Sequence, residues 1–153
     1  MPNSSNSARE IENLLYAYGE YIDAGDFARV AGLFAHAKIM PDEGASPEAS
    51  VVGEDAVLAM YQASTRLHSD GTPRTKHIIT NAIIEVDPND GEASARSYFT
   101  VLQQTDVLAL QPIISGRYHD TFARVDDRWA FATRIMRVDL VGDLKEHLLY
   151  ELP

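Results

Sequence analysis

Five histidines, His36, His68, His77, His119 and His147, are the side chains of this chain that titrate nearest neutral pH, because it has no cysteine. His77 is the most informative of them. It falls early in Thr75–Val86, a run of Ile, Val and Thr that reads as a β-strand, with Ile79, Asn81 and Ile83 as its parity mates. An imidazole there is either a strand-end group bonded to a carbonyl or water, or a general base inside an apolar pocket. Asp23 is the acid that could serve it. It stands where the first helix should end, in Tyr-Ile-Asp-Ala-Gly-Asp, and a carboxylate there opposes the helix dipole. That conflict points to a duty beyond helix stability, such as orienting an imidazole and stabilising its cation. Asp26 is accounted for as the N-cap of a second helix. Tyr18 precedes Asp23 by five residues, about 140° round an ideal helix, so spacing alone gives it a core position. Asn81 shares the parity of His77. Tyr98, Tyr118, Arg134 and Arg137 sit on later strands from which they could line a pocket. An inward arginine needs an acidic partner or an anionic ligand.

Whole classes of chemistry are missing. There is no Gly-x-Gly-x-x-Gly, no phosphate-loop lysine, no Gly-x-Ser-x-Gly and no His-Glu-x-x-His. No two histidines have the spacing that puts two ligands on one helix or strand face, so no metal is expected. The 23 acids outnumber the 13 bases, for a formal charge of −10, and acids lead in every third of the chain. A phosphate-binding surface needs the reverse, so nucleic acid is not an expected partner. No leader-like apolar stretch and no run long enough to span a bilayer is visible, which suggests a cytoplasmic protein with no membrane partner.

The elements that must carry these residues follow from periodicity. Residues 1–7 read as a disordered lead-in, with Ser7 capping the first helix and Glu10 reaching back to it. Ile11, Leu14, Leu15, Tyr18 and Ile22 form a helical stripe. Phe27, Val30, Ala31, Leu33 and Phe34 make a second, and Val57, Leu58, Tyr61 and Leu67 a third over Glu54–Leu67. A short strand is expected at Ser50–Val52. Long strands follow at Thr75–Val86, Glu92–Gln104, Pro112–Val125 and Arg128–Val141, with turns at Pro88–Gly91 and Asp126–Asp127. Asp143 is placed to cap a short C-terminal helix. Helices first and hairpin strands afterwards predict an α+β fold with the helices on one face of an antiparallel sheet. In Arg128–Val141 both parities are apolar, so the outer face should also be covered, most simply by a second copy of the chain.

Three segments resemble a known family: Tyr-x-x-Tyr-Ile-Asp-Ala-Gly-Asp-Phe-x-x-Val-x-x-Leu-Phe from Tyr18, Lys-His-Ile-Ile-Thr-Asn from Lys76, and Gly-Arg-Tyr-His-Asp-x-Phe-x-Arg-Val-Asp-Asp-Arg-Trp-x-Phe from Gly116. Their order and spacing are similar to the SnoaL-like family of the nuclear-transport-factor-2-like superfamily, over Ala8 to Leu148. The resemblance implies a single domain at 8–148 followed by a tail at 149–153. It implies a cone-shaped, curved antiparallel sheet wrapped around three N-terminal helices and a deep pocket, in a homodimer or homotrimer formed through the sheet. Dehydratases of the superfamily, of the scytalone and bile-acid 7α types, use an Asp–His pair without cofactor. Asp23 and His77 fall on the matching positions, and Tyr18 on that of a dehydratase tyrosine. Arg137 aligns, across a one-residue gap, with an arginine of the bile-acid enzyme, whereas a further acid of that enzyme aligns with Val101.

The resemblance therefore implies a cofactor-independent lyase or isomerase for a small apolar carbonyl compound. Asp23, His77 and Tyr18 would be catalytic, and Arg137, Tyr98, Tyr118 and Asn81 would bind substrate. A non-catalytic subunit, like the small subunit of ring-hydroxylating dioxygenases, and a binding protein without turnover are the alternatives this versatile fold leaves open.

Overall fold

The computed structural model describes residues 4–87, 89 and 91–152. Pro88 and Asp90 of the expected Pro88–Gly91 turn lie outside them. Helix α1 (Ser4–Asp23) carries the stripe Ser7, Ile11, Leu15, Tyr18 and Ile22, all buried. The helix thus begins three residues before Ser7, which corrects the expected lead-in over residues 4–7 and the capping box. Ser7 is one more buried step of the stripe, with its hydroxyl held by Arg124 at 3.3 Å, while Glu10 takes the Asn6 amide. The chain leaves α1 through Gly25, at φ +73°, where a Cβ would stand 2.2 Å from the Gly71 carbonyl oxygen. Asp26 then caps α2 (Phe27–Leu33) by accepting from the Arg29 amide at 3.1 Å.

Strand β1 (Lys38–Met40) follows, then a 3₁₀ turn at Pro47–Ala49, β2 (Val51–Val52) and α3 (Glu54–Ser64). The remaining strands are β3 (Thr75–Asp87), β4 (Glu92–Gln103), β5 (Gln111–Val125) and β6 (Arg128–Val141). They form one curved sheet in the order β2-β1-β6-β5-β4-β3. The sheet is antiparallel except where β1 runs parallel to β6, pairing Ile39 with Arg134. Three residues are too few to show alternation, so β1 left no trace in the sequence pattern. The two aspartates of the β5–β6 hairpin turn both have positive φ, 51° and 64°, a conformation aspartate tolerates. Asp143 accepts from the Lys145 amide at 3.0 Å, but the segment makes a turn and a bridge from Leu148 to Thr65 in place of the expected short helix.

The molecule is thus three helices enclosed by a cone-shaped, mostly antiparallel sheet. On β4 the burial alternates strictly: Ala93, Ala95, Ser97, Phe99, Val101 and Gln103 face the helices and their neighbours face out. α1 lies along β3, an outermost strand of the sheet, and this pairing positions the candidate site.

Candidate functional site

Asp23 is the last residue of α1, and His77 is the third of β3. Gly19, one helical turn before Asp23, brings the two elements together. A Cβ there would meet Ile79 Cδ1 at 3.3 Å and His77 Cβ at 3.6 Å, so an alanine would need the tip of Ile79 to shift and a bulkier side chain has no room between α1 and β3. Across this contact the Asp23 carboxylate accepts three hydrogen bonds. His77 Nδ1 donates to Oδ1 at 2.6 Å, the Thr75 hydroxyl to the same oxygen at 2.8 Å, and the His77 backbone N–H to Oδ2 at 2.8 Å. A carboxylate only accepts, so Nδ1 carries the proton and Nε2 of the neutral ring keeps the lone pair. Both side chains are nearly shut off from solvent, at 6% and 12% exposure. They line a groove of about 450 Å³ between α1 and β3, with Tyr16, Glu20, Lys76 and Ile79 on its walls.

Tyr18 is buried and meets the His77 ring edge-on at 6.0 Å, while its hydroxyl pairs with that of Tyr61 at 2.8 Å. Tyr18 and Asp23 project in different directions, as the 140° arc requires, and His77 borders both. Burial pushes the Tyr61 and Tyr118 phenols well above their ordinary range, so both stay protonated. Tyr118 is also inside, 5.8 Å from Tyr18 ring to ring. Between them lies Arg134, fully buried, its guanidinium 3.8 Å over the Tyr118 ring and 4.4 Å over that of Tyr18. Arg134 is the inward arginine that needs an acid, and Asp120 supplies it through two bonds of 2.8 and 2.9 Å. Burial raises the Asp120 carboxyl above its usual value; it also disfavours the Arg134 charge, but Asp120 more than offsets that and holds the guanidinium firmly protonated. These groups, with Phe34 and Phe131, occupy the interior that the resemblance implied to be a deep pocket.

Three expected substrate contacts are elsewhere. Tyr98 is half exposed because even-numbered positions of β4 face away from the helices. Asn81 is exposed at a bulge between Thr80 and Ile83, with φ +56°; the extra residue breaks the parity that linked it to His77. Arg137 is partly exposed and pairs with Glu43 at 3.0 Å on the loop after β1. Sequence reasoning missed Thr75, although it shares the parity of His77 two positions away. It also passed over Asp120 and Gln103, which share the inward parity of their strands, Tyr61, already on an apolar helical stripe, and His147, which only the tertiary fold brings inward.

The geometry has relatives. The chain matches the SnoaL-like domain over residues 3–135. No curated protein matches it. Among solved structures it is similar to a protein from Novosphingobium aromaticivorans DSM 12444 provisionally assigned as a scytalone dehydratase, at 22% identity and TM-score 0.71, covering 98% of this chain and 91% of that one. It is also similar to an NTF2-like protein with a cystatin-like fold from Novosphingobium aromaticivorans, at 18% identity and TM-score 0.69, with coverage of 87% and 82%. A third is the β subunit of a provisionally assigned aromatic-ring-hydroxylating dioxygenase from Novosphingobium aromaticivorans DSM 12444, at 18% identity and TM-score 0.68, with coverage of 91% and 94%. At such identities the structures establish the fold alone, and the domain match, which spans most of the sequence, establishes that the chain belongs to the SnoaL-like family.

Proposed function

We propose that the protein is a cofactor-independent lyase or isomerase, dehydratase-like, for a small and largely apolar carbonyl compound. The observation that carries this reading is the Asp23–His77 pair, with its tautomer fixed so that Nε2 is the free base. Nε2 takes a proton from the carbon next to the carbonyl. The electron pair of that C–H bond passes to the enolate, whose oxygen carries the charge. In an elimination the enolate then expels the β-hydroxyl, which leaves as water with the proton returned by His77. In an isomerisation the same proton goes back to a different carbon. Asp23 holds the ring and stabilises the imidazolium. Tyr18 is the hydrogen-bond donor to the enolate oxygen or the departing hydroxyl, Tyr118 a wall of the interior, and the buried Arg134 a source of positive potential beside Tyr18.

A panel of small β-hydroxy ketones and enones, followed by ultraviolet absorbance, tests this. His77→Ala and Asp23→Asn should each lower kcat/KM by ~10²–10⁴-fold while the fold is retained, the usual weight of a positioned acid–base group. A His77→Ala protein that turns over as the wild type does overturns the reading.

The likeness to a dioxygenase β subunit supports a second reading, a non-catalytic assembly subunit. The outer sheet face adds to it: Ile78, Tyr98 and Leu140 are all exposed, and the ladder puts Ile78 level with Thr100, Ser115 and Leu140 across four strands. In both readings this face joins copies of the chain in a homodimer or homotrimer.

A further inference from the structure

The outer face of the sheet holds a groove of about 450 Å³ that the dyad does not touch. The ladder builds it. Met40, Ile135, His119, Arg96 and Ile83 stand level across five strands, each paired with the next, and all five line the groove. Beside them run Thr133, Thr121 and Ser94, with the two threonine hydroxyls bonded at 2.6 Å. Arg134 turns inward, so Ile135 turns out, yet Ile135 is only 6% exposed. The loop after β1 accounts for this, because Glu43 and Gly44 line the groove with it. Leu140 lies five residues farther along β6, about 16 Å away at strand rise, so the groove is separate from the apolar row that ends there.

The charges in this groove run against those of the chain, whose net charge is −10. Arg96 is exposed, and no acid or other hydrogen-bonding group among the described residues pairs with its guanidinium. Of the acids lining the groove, Asp120 is taken by Arg134. The other, Glu43, accepts from Arg137 Nη2 at 3.0 Å and stands 3.7 Å from His119 Nδ1. Its side chain is 69% exposed, and an ion pair so open to solvent is weakly held. A carboxylate of the chain itself thus sits at the edge of a cationic groove, where another can displace it.

We propose that this groove binds a small organic acid with an apolar body. Its carboxylate is taken by Arg96 and His119 in place of Glu43, and its body lies on Ile83, Ile135 and Met40. The planar fork of a guanidinium matches a carboxylate with two parallel hydrogen bonds. One guanidinium and one imidazole beside an acid suit a monoanion, which favours a carboxylate over a phosphate. The volume fits a compound of small-molecule size.

The test titrates the full chain with hexanoate, hexanol and inorganic phosphate. Calorimetry gives each dissociation constant, and NMR follows the imidazoles of His119 and His77 and the methyl groups of Ile83 and Met40. Hexanoate should shift His119, Ile83 and Met40, leave His77 unmoved, and bind about tenfold tighter than hexanol or better, the scale of a charge-assisted hydrogen bond. Arg96→Gln should erase that preference, whereas Glu43→Gln should strengthen hexanoate severalfold by removing the competing carboxylate. Both positions are exposed, so neither variant disturbs the core. Equal affinity for hexanoate and hexanol, or hexanoate binding that is indifferent to Arg96→Gln, overturns the site. Phosphate binding as tightly as hexanoate overturns the choice of a carboxylate. Hexanoate shifts at His77 in place of His119 put the acid in the groove of the dyad, which overturns this site and leaves the dyad reading standing. Because the readout is binding, an inactive dyad leaves the outcome here unchanged.

Discussion

At the scale of single residues, the chain places charge and polarity where they are costly and then pairs them. Asp120 and Arg134 are the extreme case, with no exposed side-chain surface on either. Asp120→Asn leaves the guanidinium buried without its anion and should lower stability by ~3–5 kcal/mol, read from urea denaturation. His147 is the contrary case, buried with no partner for Nδ1 among the described residues. Burial drops its pKa from the ordinary 6.5 to about 4. A folded pKa below the unfolded one means that the unfolded chain binds the proton first. The stability tied to neutral His147 is therefore complete above pH 6.5 and is lost as the pH falls toward 4, at up to about 1.4 kcal/mol per pH unit. Urea midpoints measured from pH 7 to pH 4 should decline in the wild type and decline less in His147→Phe. Of these residues, Asp23 and His77 were legible in the sequence because each sits in a local setting it does not suit. Arg134 was legible only as an arginine that would need an acid, and His147 not at all, because its surroundings come from four segments far apart along the chain.

At the scale of elements, the site depends on one helix lying close against one strand. Gly19 sets that distance, and Gly19→Val should thrust α1 off Ile79 and His77. Activity should suffer more than the melting temperature, since the helix keeps its buried stripe while the 2.6 Å bond between Asp23 and His77 lengthens. Parallel measurement of kcat/KM and Tm checks this. Gly25→Ala should act the other way, lowering Tm outright, because its left-handed backbone and the Gly71 carbonyl leave no room for a methyl group. The long strands and three helices were readable from hydrophobic period, and Arg128–Val141 emerged with the bounds its pattern gives. The failures are instructive. Alternation carried Asn81 to the wrong face because a bulge adds a residue that periodicity cannot see. β1 escaped because a three-residue strand has no period. The start of α1 was misplaced because Ser7 looks like a cap, while its position on the buried stripe shows only once Arg124 is folded against it.

At the scale of the whole molecule, a chain of 16.9 kDa leaves Ile78, Tyr98 and Leu140 on one exposed sheet face. Light scattering at working concentration should give a mass two or three times that value, and Leu140→Glu, at one end of the row, should return it to one. The net charge of −10 keeps such assemblies apart from one another and argues that the face, not general stickiness, decides association. β3 faces the opposite problem, since it borders β4 on one side and no other strand of the sheet on its far side. There the Asp23 carboxylate takes the outward-pointing amide of His77, the place a neighbouring strand's carbonyl would occupy. The acid is thus also a guard rail for an open β margin. Shortening it to alanine would uncover a donor ready to recruit foreign strands, so this substitution should raise aggregation even in a preparation that has no substrate to turn over.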